Sequence, residues 1–455
     1  MAQIGAIITV GPQPWQVIQQ RGGRADISLE GVWQMQEGLE GTVLARVVRE
    51  DSGQPLGEWT PAEDLGERRW RAVLRDVPAG GLYRLETCFA PTGQLELEWS
   101  VRGDMVHHIA VGDLWVIAGQ SNSAGYGKDM IHDPAEPGVH VLRNSGRWDL
   151  ATHPLNESTG TIHEANREGA NPGHSPWLSF AKAVRRETGM PIGLLQTSLG
   201  GSPLSQWLPG GALYASMAEV IASQGGSVRG VLWYQGCSDT DSEELSDSYL
   251  QRFTGFVEAV RGITCDPALP FVTVQISRYI AGVNDRNWSA VREAQRQAAR
   301  RIANVYVVPT LDCSLSDTIH ISAASNLVLG ERAARAALAN LYGRPCLWAA
   351  PDLHSAVAMQ GGIRLRYGSV TQRLNLLDAP VHKLPYAIED ESGPVGITAY
   401  RISGMGEIEL TTERAPVGRC VVHSHYGCDP QGALELDGAT RVPALAFWGV
   451  EVQDK

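Results

Sequence analysis

An α/β/α layer held between two β-modules is the fold class this sequence predicts, and three observations predict it. Hydrophobic alternation with period two runs from the start to about residue 107. From 108 to 345 the rhythm becomes strand, loop, helix. After Pro345 the pattern returns to short strands between turn signals. A chain of 455 residues is long enough for two or three domains that each bury a core. We therefore divide it into an N-terminal β-sandwich module (1–107), a central α/β/α domain (108–345) and a C-terminal β-module (346–455).

In the first part, Leu95, Leu97, Trp99 and Val101 alternate with Glu96, Glu98, Ser100 and Arg102. Tyr83, Leu85 and Thr87 alternate with Arg84 and Glu86 after the turn Pro78-Ala79-Gly80-Gly81. Half-buried strands require this alternation, and short strands between turns imply an antiparallel sandwich. Trp15, Trp33, Trp59, Trp70 and Trp99 are read as core in preference to a sugar-stacking platform, because aromatics at strand spacing are usually buried.

In the central part, apolar runs ending in small or polar residues recur at Leu114 to Ile117, Gly193 to Ser198, Val228 to Gly236, Phe271 to Ser277 and Val305 to Asp312. Helical periodicity fills the gaps over 177–188, 213–223, 288–302 and 324–342. Leu245, Tyr249, Phe253, Phe256 and Val260 predict one helix face, ended by Gly262. Strands alternating with helices indicate a mainly parallel sheet covered on both faces. The segment 129–176, polar and long for a connection, is expected to form a lip of the site. Its histidines (His132, His140, His153, His163, His174) lack HExxH pairing or a Cys/His finger spacing, so no metal is expected. In the last part Ile363, Leu365 and Tyr367 alternate with Arg364 and Arg366, and Gly396 to Ile402, Glu407 to Thr411 and Cys420 to His425 read as further strands.

The central strands converge on chemistry. Ligands in open α/β sheets bind outside the carboxyl ends of the strands, and Ser121 stands there, in the turn Gly119-Gln120-Ser121-Asn122. Serine needs a base to take its proton, and imidazole is the natural one near neutral pH. In the loop Asp317-Thr318-Ile319-His320, His320 is the candidate base. Asp317, three residues earlier, can accept its Nδ1–H and fix the tautomer. Candidate oxyanion donors are the Ser121 N–H, an N–H of Gly200 or Gly201, and the side-chain amide of Gln235. Gln120, Asn122 and Trp207 are assigned to substrate contact. Trp233 and Cys237 are read as buried structural residues. No GxSxG occurs, which disfavours the α/β-hydrolase fold.

The motifs GQSN (Gly119 to Asn122), GGSPLSQW (Gly200 to Trp207), WYQG (Trp233 to Gly236), REAQ (Arg292 to Gln295) and DxxH (Asp317 to His320) resemble, in this order, the SGNH hydrolase superfamily. The resemblance is to its sialate O-acetylesterase-like carbohydrate esterases. It implies a flavodoxin-like fold, a Ser121–His320–Asp317 triad, and oxyanion donors from Ser121, the Gly-Gly turn and Gln235. It further implies removal of O-acetyl groups from a carbohydrate, from sialic acid or a plant-derived saccharide, through an acyl-enzyme without a cofactor. The segment DPQGALELDG with Pro443 also resembles the end of these esterases. Two positions depart from the family: Cys237 stands where it usually has Glu, and Ile321 where a proline follows the histidine.

Composition narrows the partners. With 38 Lys plus Arg against 50 Asp plus Glu, the net charge of −12 disfavours nucleic acid and anionic membranes and suits a neutral substrate; the resemblance makes that substrate an acetylated saccharide. Seven scattered cysteines without a CxxC pair, and no long apolar run, point to reduced thiols and a cytoplasmic location. Two other readings compete. One is a non-catalytic carbohydrate-binding protein on a decayed hydrolase frame, suggested by Cys237 and the Trp-rich first module; the joint presence of Ser121, Asp317 and His320 opposes it. The other is a lipid or thioester hydrolase of the same superfamily, which would need a broad apolar cleft.

Overall fold

The computed structural model describes residues 4–93, 100–169 and 172–454; the alternation of Leu95, Leu97 and Trp99 lies outside them. The longest strand, β1 (Val101–Gly119), has 19 residues. Its first half pairs antiparallel with Gly80–Pro91. Its second half is flanked by two parallel strands, Ile192–Gln196 and Gly230–Tyr234. Burial alternates as far as His107 and is then continuous from Ile109 to Gly119, because helices cover both faces of the second half. Position 107 thus falls inside one unbroken strand, which carries the N-terminal sheet into the central one.

From β1 the chain continues through α1 (Ser121–Ala124), β2 (Val139–Leu142), β3 (Trp148–Leu150), α2 (Trp177–Thr188), β4 (Ile192–Gln196) and α3 (Ala212–Ser223). It goes on through β5 (Gly230–Tyr234), α4 (Tyr249–Thr264), β6 (Phe271–Val274), α5 (Asp285–Arg301), β7 (Val305–Val308) and α6 (Ala323–Leu341). The sheet order is β3-β2-β4-β1-β5-β6-β7, parallel except for β3. Without the β2–β3 hairpin, the order is second, first, third, fourth, fifth, which is flavodoxin-like. Strand addition reverses at β1, so a crevice opens at its carboxyl end. α2 packs against α6, and α4 against α3 and α5, giving the two helical layers.

The helix face read from Leu245 onward divides. Glu243–Asp247 forms a short helix, Ser248 turns the chain, and α4 runs through Gly262 to Thr264, where Cys265 caps it at φ 53°. Burial of Val260 and Thr264 on either side outweighs the roughly 1 kcal/mol that glycine costs inside a helix.

Ahead of β1, a four-stranded sheet and the strands Gly41–Arg49 and Gly80–Pro91 enclose a core of Ile27, Leu29, Val43, Trp70, Leu85 and Phe89. The described tryptophans do not form one platform. Trp70 is core, Trp33 packs on Phe89, Trp15 stacks on His108 and Trp59 lies under Arg46.

After α6, strands from Asp352 to Gln453 build an eight-stranded sheet with its own core, including Ile363, Leu365, Ile408, Val422 and Phe447. Among the described residues it shares no strand pairing with the N-terminal strands. α5 joins it to the central layer. The buried Arg292 guanidinium donates to Ile276 O and Ser277 O at the end of β6, and to His425 O, Gly427 O and Cys428 O of the last module. Burial lowers its pKa to about 9. Gln275 adds a reciprocal pair of bonds with the Ala446 backbone, each 2.9 Å.

Candidate active site

Ser121 is held at the carboxyl end of β1 by a bend that only glycine accommodates. Gly119 has φ 119°, and a Cβ there would lie 2.3 Å from Tyr234 O. Gln120 N–H then donates to Tyr234 O at 2.9 Å. Ser123 Oγ donates to Ala118 O and accepts from Trp177 Nε1, each at 2.8 Å, locking the turn from beneath. Ser121 begins α1, where a backbone N–H has no acceptor within the helix. Its side chain faces a cleft of about 570 Å³ that His320, Tyr126 and Gly201 also line.

The 317–321 loop presents the imidazole. His320 Nδ1 lies 2.6 Å from Asp317 Oδ2, and Asp317 Oδ1 accepts the N–H groups of Ile319 at 2.8 Å and His320 at 2.7 Å. Burial works against the ionised carboxyl, but the His320 bond and the two N–H groups outweigh it and hold its pKa below the ordinary value. With Nδ1–H donated to Asp317, Nε2 carries a lone pair, as a general base requires. Ser121 and His320 thus line one cleft, and the partly exposed Asp317 holds the imidazole from behind.

Other expected roles change. Gln235 is fully buried: its amide donates to Asp239 Oδ2 at 2.5 Å and Ser202 O at 3.3 Å, and its Oε1 accepts from Tyr249. Both amide hydrogens are engaged within the protein, so the expected oxyanion contact is corrected to a structural one. Gly200 N–H is taken by Glu168 Oε2 at 2.9 Å, whereas Gly201, the next residue, lines the cleft. Among the described residues the Gly201 N–H has no acceptor within the protein.

Substrate contact is likewise corrected for Trp207 and Asn122, while Gln120 stays at the edge of the cleft. Trp207 is fully buried, edge-on to Trp233 at 5.4 Å, with Nε1 on Ser202 Oγ. Asn122 Oδ1 accepts the Ile321 N–H at 3.0 Å, pinning the 317–321 loop to the Ser121 turn. Gln120 borders the cleft, but its Oε1 accepts from Gly236 N and Ser238 N at 3.0 and 3.2 Å, so it braces the turn against the end of β5. Gln295 completes the brace, donating to Gln235 O and accepting from Ile276 N.

Segment 129–176 contributes no described residue to the cleft; the walls come from 237–241, 279–288 and Cys428. Cys237 is buried, and burial pushes its thiol up to about 12 despite the nearby Arg292 charge. Trp233 packs within an aromatic core with Phe253 and Phe256. Two acids of the frame were not anticipated. Asp239 takes Gln235, Leu204 N and Arg252, and Glu168 takes Gly200. Neither stands in a recurring motif, and their partners lie at separations of 4, 13, 32 and 35 positions, so periodicity holds no signal for them.

Among the described residues, one group brings three metal-type ligand atoms within 4.8 Å: Asp133, His153 and His174. Lys182 Nζ already sits 2.5 Å from Asp133 Oδ1, and both histidine Nε2 atoms address Oδ2 at 3.0 and 3.1 Å. His153 Nδ1 accepts the Ser175 N–H, which leaves its proton on Nε2, facing the carboxylate. Burial opposes ionisation of Asp133, yet these donors hold its pKa far below the ordinary value. The donor set fits a hydrogen-bonded ion pair better than a cation site.

No helix among the described residues is long and apolar enough to cross a membrane. A probable carbohydrate esterase of Arabidopsis thaliana is 32% identical over 254 residues, which covers 51% of this chain and 92% of that one. A carbohydrate acetylesterase from Xanthomonas citri superposes with a TM-score of 0.67 at 21% identity, covering 96% of this chain and 99% of that one; the fold, flanking β-modules included, is therefore shared almost end to end. A model of the carbohydrate esterase family described as sialic acid-specific acetylesterase matches residues 111–339. The chain belongs to that family of carbohydrate esterases.

Proposed function

We propose that the protein is a serine esterase that removes O-acetyl groups from a carbohydrate through an acetyl-enzyme. The observation that carries this reading is His320, bonded to Asp317 at 2.6 Å and sharing a cleft with Ser121. His320 Nε2 takes the Ser121 Oγ proton as Oγ attacks the acetyl carbonyl. The N–H groups of Ser121 and Gly201 receive the developing oxyanion. His320 returns the proton to the departing sugar hydroxyl, and water then hydrolyses the acetyl-enzyme with the same histidine as base. Asp317 orients the imidazole and stays ionised.

A saccharide suits the cleft because Ser238, Thr240, Asp241 and Asn284 border it together with the rings of Tyr279 and Trp288. Sugars present hydroxyl edges and apolar C–H faces, and such a mixed wall complements both. The family and its carbohydrate-esterase relatives support the same class. The catalytic unit is taken as 108–345, with β-modules at 1–107 and 346–455.

Acetate release from a panel of acetylated mono- and oligosaccharides tests the substrate class; a parent enzyme that releases none overturns it. Ser121→Ala is expected to lower turnover of any accepted ester by about 10⁴-fold or more without unfolding the protein. Parental activity in that variant would remove Ser121 from the mechanism.

A further inference from the structure

Segment 129–176 stays out of the cleft wall, yet one of its carboxylates reaches the underside of the site. Glu168 Oε1 accepts from Tyr126 Oη at 2.7 Å and Gly169 N at 3.1 Å. Its Oε2 accepts from Gly200 N at 2.9 Å and Asn156 Nδ2 at 3.1 Å. A carboxylate offers about four acceptor sites, so these four donors use its full capacity. Two of them belong to the catalytic surroundings. The Tyr126 ring lies against His320, with centroids 4.7 Å apart and planes at 36°, and burial together with the Glu168 bond raises the phenol's pKa, keeping it a donor. Gly200 precedes the residue whose N–H is left for the oxyanion. There is no space for a side chain here, since a Cβ at Gly200 would meet Tyr126 Oη at 2.6 Å and Glu168 Oε1 at 2.9 Å.

We propose that Glu168 is a positioning residue that sets the oxyanion turn and the base with one carboxylate. By drawing the Gly200 N–H downward it leaves the Gly201 N–H toward the cleft, and by anchoring Tyr126 it seats the ring on which His320 rests. The proposal rests on the reading of Ser121 and His320 as nucleophile and base. Its consequence is specific. Glutamine has nearly the same volume, but one of its two terminal groups is a donor, so it must turn NH₂ toward either Tyr126 and Gly169 or Gly200 and Asn156.

The test is steady-state hydrolysis of a small aryl acetate by the full chain, alongside thermal unfolding. Glu168→Gln is expected to lower kcat by about 10- to 100-fold with KM changed less than about threefold, because the donors concerned act mainly as charge develops. Tyr126→Phe keeps the ring, removes one donor, and is expected to lower kcat a few-fold at unchanged KM. Parental kcat in folded Glu168→Gln overturns the proposal, as does an equal loss through KM alone. Should Glu168→Gln not fold, Tyr126→Phe decides: a selective kcat loss supports the proposal and parental kcat overturns it. Activity that survives in Ser121→Ala would instead overturn the reading of the site on which this rests.

Discussion

The two β-modules are attached to opposite ends of the same parallel sheet, and this decides what each can influence. The N-terminal strands join at the amino end. Val17–Gln19 pairs with Ala110–Gly112, the strand Gly80–Pro91 pairs with the first half of β1, and Asp113, fully buried there, accepts from Gln19, Gln20 and Tyr342. The C-terminal module joins at the carboxyl end. Arg292 binds its 425–428 turn, Tyr279 N–H donates to Cys428 O at 2.9 Å, and Cys428 forms part of the cleft wall. Since substrates bind at carboxyl ends, the first module is placed to stabilise the sheet and the second to shape the site.

The sharpest break is on the amino-end side. Trp70 is core in the first module, with Nε1 bonded to Val32 O at 3.0 Å. Trp70→Ala is expected to destabilise the protein by about 3–5 kcal/mol in chemical denaturation, while kcat and KM of the folded fraction stay within about twofold. A selective loss of kcat would show that the first module reaches the site.

Acid adds a second test at the same end. His140, on β2, is fully buried; burial pulls its pKa down to about 4, and Nε2 accepts the Gly138 N–H. The unfolded chain binds a proton there below about pH 6.5 that the native state refuses. This contribution is therefore complete above pH 6.5 and is lost as pH falls toward 4, by about 3 kcal/mol. Denaturation of the parent and of His140→Gln at both ends of this window measures it. Equal pH slopes in the two proteins would remove His140 as the cause.

The smallest expected effect is at the carboxyl end, where function responds before stability. A Cβ at Gly282 would lie 2.7 Å from both Cys428 Sγ and Tyr279 Cδ1, so Gly282→Val must displace the wall that the second module supports. We expect KM for an acetylated saccharide to rise about tenfold, roughly 1.4 kcal/mol, with kcat on a small aryl acetate within about threefold. An unchanged KM would mean that this wall does not touch the sugar.

The alternation of strands and helices, the covered parallel sheet and the Asp317–His320 loop were legible from residues alone, while the flavodoxin-like order came from the family resemblance. Each is written in short-range terms: a period, a run length, or two side chains three positions apart in one loop, whose backbone closes the geometry by itself. The glycine before Ser121 is legible for the same reason, since a sharp strand-end bend demands it. What the tertiary structure decided are contacts between strand ends distant in sequence. Gln235, Trp207, Asn122 and Gln120 sit in or beside the family motifs, yet their partners arrive from other strands and loops, and those partners determine whether an amide meets a substrate or braces a turn. Glu168 shows the converse, an unremarkable acid in a polar segment that becomes important through the donors it meets. The length of β1 was likewise hidden, because half-buried alternation and fully buried continuity look like two strands until both are seen to belong to one sheet covered on its second half alone. Sequence patterns report which face of an element is dry; which polar group waits across the gap is a property of the assembled sheet.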